Sequence, residues 1–286
     1  HLGGTFAFFI AWLANFKLFL FAFNKGPLSL PSLSLPRFIA LASLPIKFRD
    51  HNNNSSSNQK GRKSPLNYAT KALILAAIIR SYEYKDYFHP KLLLTLYSVH
   101  IYLFLEIILA GFAAMGRRLV GVEVEPQFNE PYLSSSLQDF WSRRWNIMVT
   151  KILRPTVYEP AYSLSIGIMG PKWASLPAVF ATFLVSGLVH ELMFYYLGRV
   201  TPTWKVTWFF ILHGLCLTVE IGLKKLLSGT VVQLPRVVSG PLTVGFMLIT
   251  AFWLFYPQLL QCNGIQRGLQ EYATVIAFVK NVTNTL

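Results

Sequence analysis

Long apolar runs separated by polar segments dominate the chain. Apolar stretches at residues 5–23, 68–80, 91–115, 171–197, 204–227 and 241–260 each predict a helix that can enter a bilayer, where a crossing takes about 20 residues. The first run is interrupted by Asn15 and Lys17, so it is expected to tilt or to turn that face into the bundle. Residues 27–48 carry Pro27, Pro31, Pro36 and Pro45. They are too broken for a straight crossing and predict a re-entrant or interfacial piece. Residues 51–64 are polar and low in complexity, which predicts disorder, and Asn53 and Asn54 match glycosylation sequons. The tail, 261–286, is weakly amphipathic. No internal repeat is visible. The expected fold is all-α: a polytopic transmembrane helical bundle of about six spans plus re-entrant and interfacial helices, in one domain over residues 1–286.

Composition narrows the class. Hydrophobic residues make up 53% of the 286-residue chain and charged residues 13%, against about a quarter charged in a soluble domain. A soluble enzyme is excluded. The formal charge of +14 would suggest nucleic acid in a soluble domain. Here the bases lie in loops between apolar runs, which points to anionic headgroups or a phosphate-rich substrate. Residues 24–65 and 117–172 carry seven Lys/Arg each, and the segments between alternate spans carry two or three. That alternation predicts the two rich regions and residues 224–236 on the cytosolic side. Two cysteines make neither a disulfide framework nor a zinc pattern. The chain starts at His1 almost inside an apolar run and has no signal-peptide pattern, so an N-terminally truncated protein is expected.

Two stretches carry candidate chemistry. The first is Ser186-Gly187-Leu188-Val189-His190-Glu191, inside the fourth apolar run. A histidine and a carboxylate are expensive there, so they either pack helices together or transfer protons. Ser186, Gly187, Met193 and Phe194 share the His190 face. The second stretch is 137–155, LQDFWSRRWNIMVTKILRP. Ser135 and Ser136, each followed three residues later by Gln138 and Asp139, offer helix-start capping boxes, and Pro155 is expected to end the helix. At about 100° per residue, Trp141, Trp145, Met148, Val149 and Ile152 fall on one side. Arg143, Asn146, Thr150 and Arg154 fall on the other, with Arg144 and Lys151 on the flank. This is the pattern of an interfacial anchor. Asn146, set among cations, is the residue such an anchor does not need.

The run Phe140-Trp141-Ser142-Arg143-Arg144-Trp145-Asn146, then Leu153-Arg154-Pro155-Thr156-Val157-Tyr158, then Ser186–Glu191, resembles the plant wax synthase branch of the membrane-bound O-acyltransferases. The resemblance runs along the whole chain, with a motif core at 126–220. It implies an acyl-CoA-dependent enzyme of the endoplasmic reticulum membrane that esterifies a long-chain alcohol or a sterol. Its partners would be fatty acyl-CoA, the alcohol or sterol, and membrane lipids. It implies no cofactor, no metal and no nucleic acid. It places the catalytic roles on His190 and Asn146. Residues 140–146 resemble the acyl-CoA-binding motif of sterol and diacylglycerol acyltransferases, which puts Trp141 and Trp145 beside acyl-CoA; Arg143-Arg144 stand where those enzymes have an acid and a Trp. Arg143, Arg144, Lys151 and Arg154 could hold the CoA phosphates. Ser186, Gly187, Met193 and Phe194 would line the acceptor cavity.

Other classes fare less well. His190-Glu191 begins a zinc-protease motif, but Phe194 stands at the second ligand position. No histidine is followed five residues on by Asp, and no Gly-rich nucleotide loop is present. A proton-coupled transporter using His190, Glu191, Glu106 and Glu220 stays open, as does an inactive relative. His213 and Glu220, seven apart on one helix face, could also line the cavity. His100 and Glu106, six apart, are not expected to pair.

Overall fold

Among the residues described in the computed structural model (2–29, 33–43, 64–120, 126–227 and 234–285), twelve α-helices follow one another with no strand. They are α1 (Leu2–Ala22), α2 (Leu35–Ser43), α3 (Pro65–Ser81), α4 (Pro90–Val120), α5 (Leu137–Asp139), α6 (Ile147–Leu153), α7 (Glu159–Trp173), α8 (Ser175–Gly198), α9 (Lys205–Leu226), α10 (Arg236–Thr250), α11 (Tyr256–Gln261) and α12 (Gly264–Thr285). The polar segment with Asn53 and Asn54 lies outside the described residues, save Ser64. The Ser64 hydroxyl accepts from Asn67 N at 3.2 Å and caps α3.

Four helical stretches are long and apolar enough to cross a membrane: Pro90–Arg118, Ser175–Gly198, Lys205–Leu226 and Arg236–Gln261. The sequence pattern predicts six. The 17 residues of α3 reach only about 25 Å at ~1.5 Å per residue, short of the ~30 Å hydrocarbon core. In α1 the apolar stretch with described side chains is Trp12–Ala22. Lys17 is turned inward, 1% exposed, and its Nζ donates to Leu41 O at 2.7 Å, tying α2 to α1. The proline-rich piece contains α2 and a short turn at Pro27–Ser29.

Helices α8 and α9 form the centre as an antiparallel hairpin. Two glycines let the backbones approach. A Cβ on Gly187 would stand 3.1 Å from Thr207 Cα, and one on Gly214 would stand 2.8 Å from Phe183 Cβ. Glu191, 3% exposed, fastens the hairpin at its loop end, where residues 199–204 join the two helices. Its carboxylate accepts from Trp204 N at 2.9 Å and from Thr207 N and Oγ1 at 3.2 Å. Unpaired N–H groups at a helix start favour an anion, so this acid closes the beginning of α9.

The amphipathic helix predicted over 137–155 is broken. Ser136 Oγ accepts from Asp139 N at 3.1 Å as the capping pattern predicts, and α5 runs into a π-helical turn at Phe140–Arg144. Trp145 is then extended and Asn146 is left-handed (φ 41°, ψ 61°). A strap at 126–130 causes the break. Asn129 N donates to Arg144 O at 3.0 Å and Ile147 N to Gln127 O at 2.9 Å, so residues 144–147 pair with the strap instead of continuing the helix. Pro155 does not end helical structure either. It sits in a second π-helical turn, Arg154–Tyr158, and α7 follows, so the wider turn absorbs its missing N–H.

Candidate active site

Both fractures border a cavity of about 530 Å³, a size suited to small-molecule binding. Its walls come from α5, α6, the two π-turns, α8 and α9, with Trp12 reaching in from α1. His190 and Asn146 both line it. They are 44 residues apart in sequence and meet this one chamber because the strap turns residues 145–147 back toward α8.

The tautomer of His190 is set by its own helix. Its Nδ1 lies 2.8 Å from Ser186 O, one turn earlier. A carbonyl only accepts, so the proton sits on Nδ1 and Nε2 carries the lone pair. The ring lies against Phe210, with centroids 4.4 Å apart. Among the described residues no other hydrogen bond reaches the imidazole, and its half-buried ring borders the chamber.

Asn146 starts α6 in a left-handed conformation that Asn tolerates better than most residues. Backbone geometry alone therefore gives one reason for an Asn here. A second reason is separate. Its Oδ1 is buried and accepts no hydrogen bond from the described residues. An orphaned buried acceptor costs about 1–3 kcal/mol, so this oxygen is open to a further donor.

Residues 124–212 match the model of the membrane bound O-acyl transferase family. Over its whole length the chain is 50% identical to an Arabidopsis thaliana protein named acyl-CoA–sterol O-acyltransferase 1, covering 84% of that protein. It is 46% identical, over 98% of its length and 81% of the relative, to the long-chain-alcohol O-fatty-acyltransferase of Simmondsia chinensis. A similar likeness, also 46%, links it to a probable long-chain-alcohol O-fatty-acyltransferase of Arabidopsis thaliana. The chain belongs to the membrane-bound O-acyltransferase family. It is a multi-pass membrane acyltransferase.

In this acyltransferase the remaining candidates separate by position. Trp141, Trp145 and Arg154 line the cavity, as do Ser186 and Met193. Arg143 and Lys151 are exposed and lie outside its lining. Arg144 also lies outside it and is engaged elsewhere. Its Nε donates to Asp139 Oδ2 at 2.7 Å, and its Nη1 donates to Asn129 O and Glu130 O at 3.1 and 3.2 Å. This guanidinium clamps the strap that breaks the helix, so its donors act on the strap and not at the cavity. Gly187 and Phe194 are not among the residues that line the cavity. Gly187 packs on α9, and Phe194, 1% exposed, belongs to the apolar core.

Sequence reasoning missed several lining residues, among them Gln138, Thr150, Tyr158, Thr182 and Lys225. Lys225 was legible only as part of the segment 224–236 expected on the cytosolic side. In the fold its Nζ donates to Lys172 O and Ser175 Oγ, which places a cation at the α8–α9 end of the chamber.

The acids invoked for a proton path serve other purposes. Glu191 closes α9. Glu106, 4% exposed, pairs with Lys71 at 2.8 Å. Glu220 accepts from Leu137 N at 3.0 Å and Gln138 N at 3.4 Å and pairs with Lys224. Neither Glu220 nor His213 lines the cavity. Among the described residues no group of three His, Cys, Asp or Glu could hold a metal.

Proposed function

We propose that the protein transfers a fatty acyl group from acyl-CoA to the hydroxyl of a hydrophobic alcohol, a long-chain fatty alcohol or a sterol, at the endoplasmic reticulum membrane. The relatives' names supply this substrate pair. The observation that carries the reading is one chamber holding an imidazole with an open Nε2 and a carboxamide with an unmatched oxygen.

A neutral hydroxyl needs a base as it attacks a thioester. His190 Nε2 takes the acceptor proton while the acceptor oxygen bonds to the thioester carbon. The C–S bond then breaks, and the imidazolium returns the proton to the departing CoA sulfur. The products are an ester and free CoA. Ser186 O stabilises the transient cation through the Nδ1–H bond. Asn146 can give an amide N–H to the thioester oxygen as its charge grows, and its Oδ1 can accept from the acceptor hydroxyl or a pantetheine amide. Arg154 and Lys225 suit the phosphates of CoA, and the Trp141, Phe183 and Phe210 side of the chamber suits hydrocarbon.

The test is microsomal esterification in a yeast strain lacking its own ester-forming acyltransferases, with radiolabelled acyl-CoA and either fatty alcohol or sterol. Labelled wax ester in one arm or steryl ester in the other identifies the acceptor. No ester in either arm, or full activity in His190→Ala, overturns the reading.

A further inference from the structure

Helix α9 carries a fully buried histidine that this chemistry does not use. His213 is 0% exposed, and both its ring nitrogens are engaged. Trp141 Nε1 lies 3.3 Å from His213 Nδ1. An indole N–H only donates, so Nδ1 is the acceptor and the proton sits on Nε2. His213 Nε2 donates to Thr250 Oγ1 at 2.9 Å, and the Thr250 hydroxyl donates to Phe246 O at 2.7 Å. The direction of donation is fixed at every step, from the chamber wall to α10.

Each end of this relay adjoins a π-helical turn. Trp141 lies in the turn Phe140–Arg144, and Thr250 immediately precedes the turn Ala251–Phe255. Two irregular segments more than a hundred residues apart in sequence are thus clipped together through one imidazole. The clip bears on the chamber. Trp141 lines it and meets Phe183 edge-on at 5.3 Å and Phe210 at 6.0 Å. Phe210 is the ring against which His190 lies. Trp141 is therefore one ring removed from the base, and its indole has one polar atom by which to be oriented.

We propose that His213, held by Thr250, is a positioning residue that pins the Trp141 indole and so sets the shape of the compartment beside His190. The acyltransferase's selection among hydrocarbon chains then depends on a residue that touches no substrate. This inference rests on the proposed acyl transfer, and its test has one arm that does not.

The whole chain is compared with His213→Phe, which keeps a ring but neither hydrogen bond; His213→Gln, whose amide can accept from Trp141 and donate to Thr250; and Thr250→Val. With one acyl-CoA and an equimolar mixture of short and long primary alcohols, His213→Phe should change the ester ratio by about 5-fold, the scale of one lost hydrogen bond. It should raise the acceptor KM while kcat on the preferred alcohol stays within about 2-fold of wild type, since the lost bond acts on the chamber wall and leaves the base in place. His213→Gln should restore both, and Thr250→Val should shift them less in the same direction. The second arm is the indole N–H resonance of Trp141 in 15N-Trp protein in nanodiscs, identified by its loss in Trp141→Phe. It should move upfield in His213→Phe and return in His213→Gln. An unmoved resonance overturns the inference. So does a moved resonance with an unchanged ester ratio and KM. Absence of ester from wild type would instead sink the proposed function, and the resonance would still report whether the relay exists. Should His213→Phe fail to fold, Thr250→Val against His213→Gln decides the same question.

Discussion

Two histidines of this bundle, His100 on α4 and His190 on α8, sit in apolar helices and differ in the second ring nitrogen. On the α4 side, His100 is 4% exposed and spans two phenols, with Tyr82 OH 3.0 Å from Nδ1 and Tyr272 OH 3.0 Å from Nε2. Tyr272 belongs to α12, so this imidazole docks the C-terminal helix onto α4. On the α8 side, His190 satisfies Nδ1 within its own helix and presents Nε2 to a chamber. With both nitrogens matched, His100 ties helices together. With one matched, His190 has its tautomer chosen and keeps a lone pair facing the chamber, as the proposed base requires. Burial does not separate the two roles, and neither does the cost of placing imidazole in hydrocarbon.

The contrast can be broken in several ways. His190→Ala has the largest expected effect, a loss on the order of 10²–10⁴-fold in kcat, with little change in the unfolding midpoint in detergent. An equal loss of activity in His100→Phe, corrected for folded protein, would erase the distinction. Asn146 comes next and separates its two reasons for being Asn. Asn146→Gly keeps the left-handed turn and removes the amide, and activity in microsomes should fall roughly 10²-fold, near the value of one oxyanion donor. Asn146→Ala should lose that activity and also stability, because Ala is strained at positive φ. If Asn146→Gly is active, the residue serves only the backbone.

His100→Phe should instead act on stability. It leaves the phenols of Tyr82 and Tyr272 without their partner, at about 1–3 kcal/mol each. The C-terminal helix should become the earliest site of proteolysis, with specific activity of the folded protein retained. Gly187→Ala should destabilise by about 1–3 kcal/mol by overpacking the α8–α9 contact, read as a lower unfolding midpoint. Smallest of all, Arg143→Ala should leave the KM for acyl-CoA within about 2-fold, as expected of an exposed cation, whereas Arg154→Ala should raise it more.

The α4, α8 and α9 crossings were legible because each is a sustained apolar run, a signal that needs no tertiary context. His190 was legible for a similar reason: its cost inside such a run is local. The fracture at Trp145–Asn146 was not. Periodicity reads 137–155 by itself, and the competing hydrogen bonds come from Gln127 and Asn129, upstream in a strap of no regular pattern. Arg144 looked like a phosphate ligand for the same reason, since its actual partners include two carbonyls that no sequence pattern displays. Gly187 and Phe194 share a helical face with His190 within the resolution of a 100° wheel. Which part of that face meets the cavity depends on where α9 lies.

The left-handed twist at residue 146 also affects how relatives of this chain should be read. That twist filters side chains before any chemistry is tested, so a descendant that has stopped making ester would still be steered toward Asn or Gly there. Persistence of Asn at this site in a relative is thus poor testimony that the relative is active. Position 190 is held by no such backbone filter, and a histidine that survives there is the better witness.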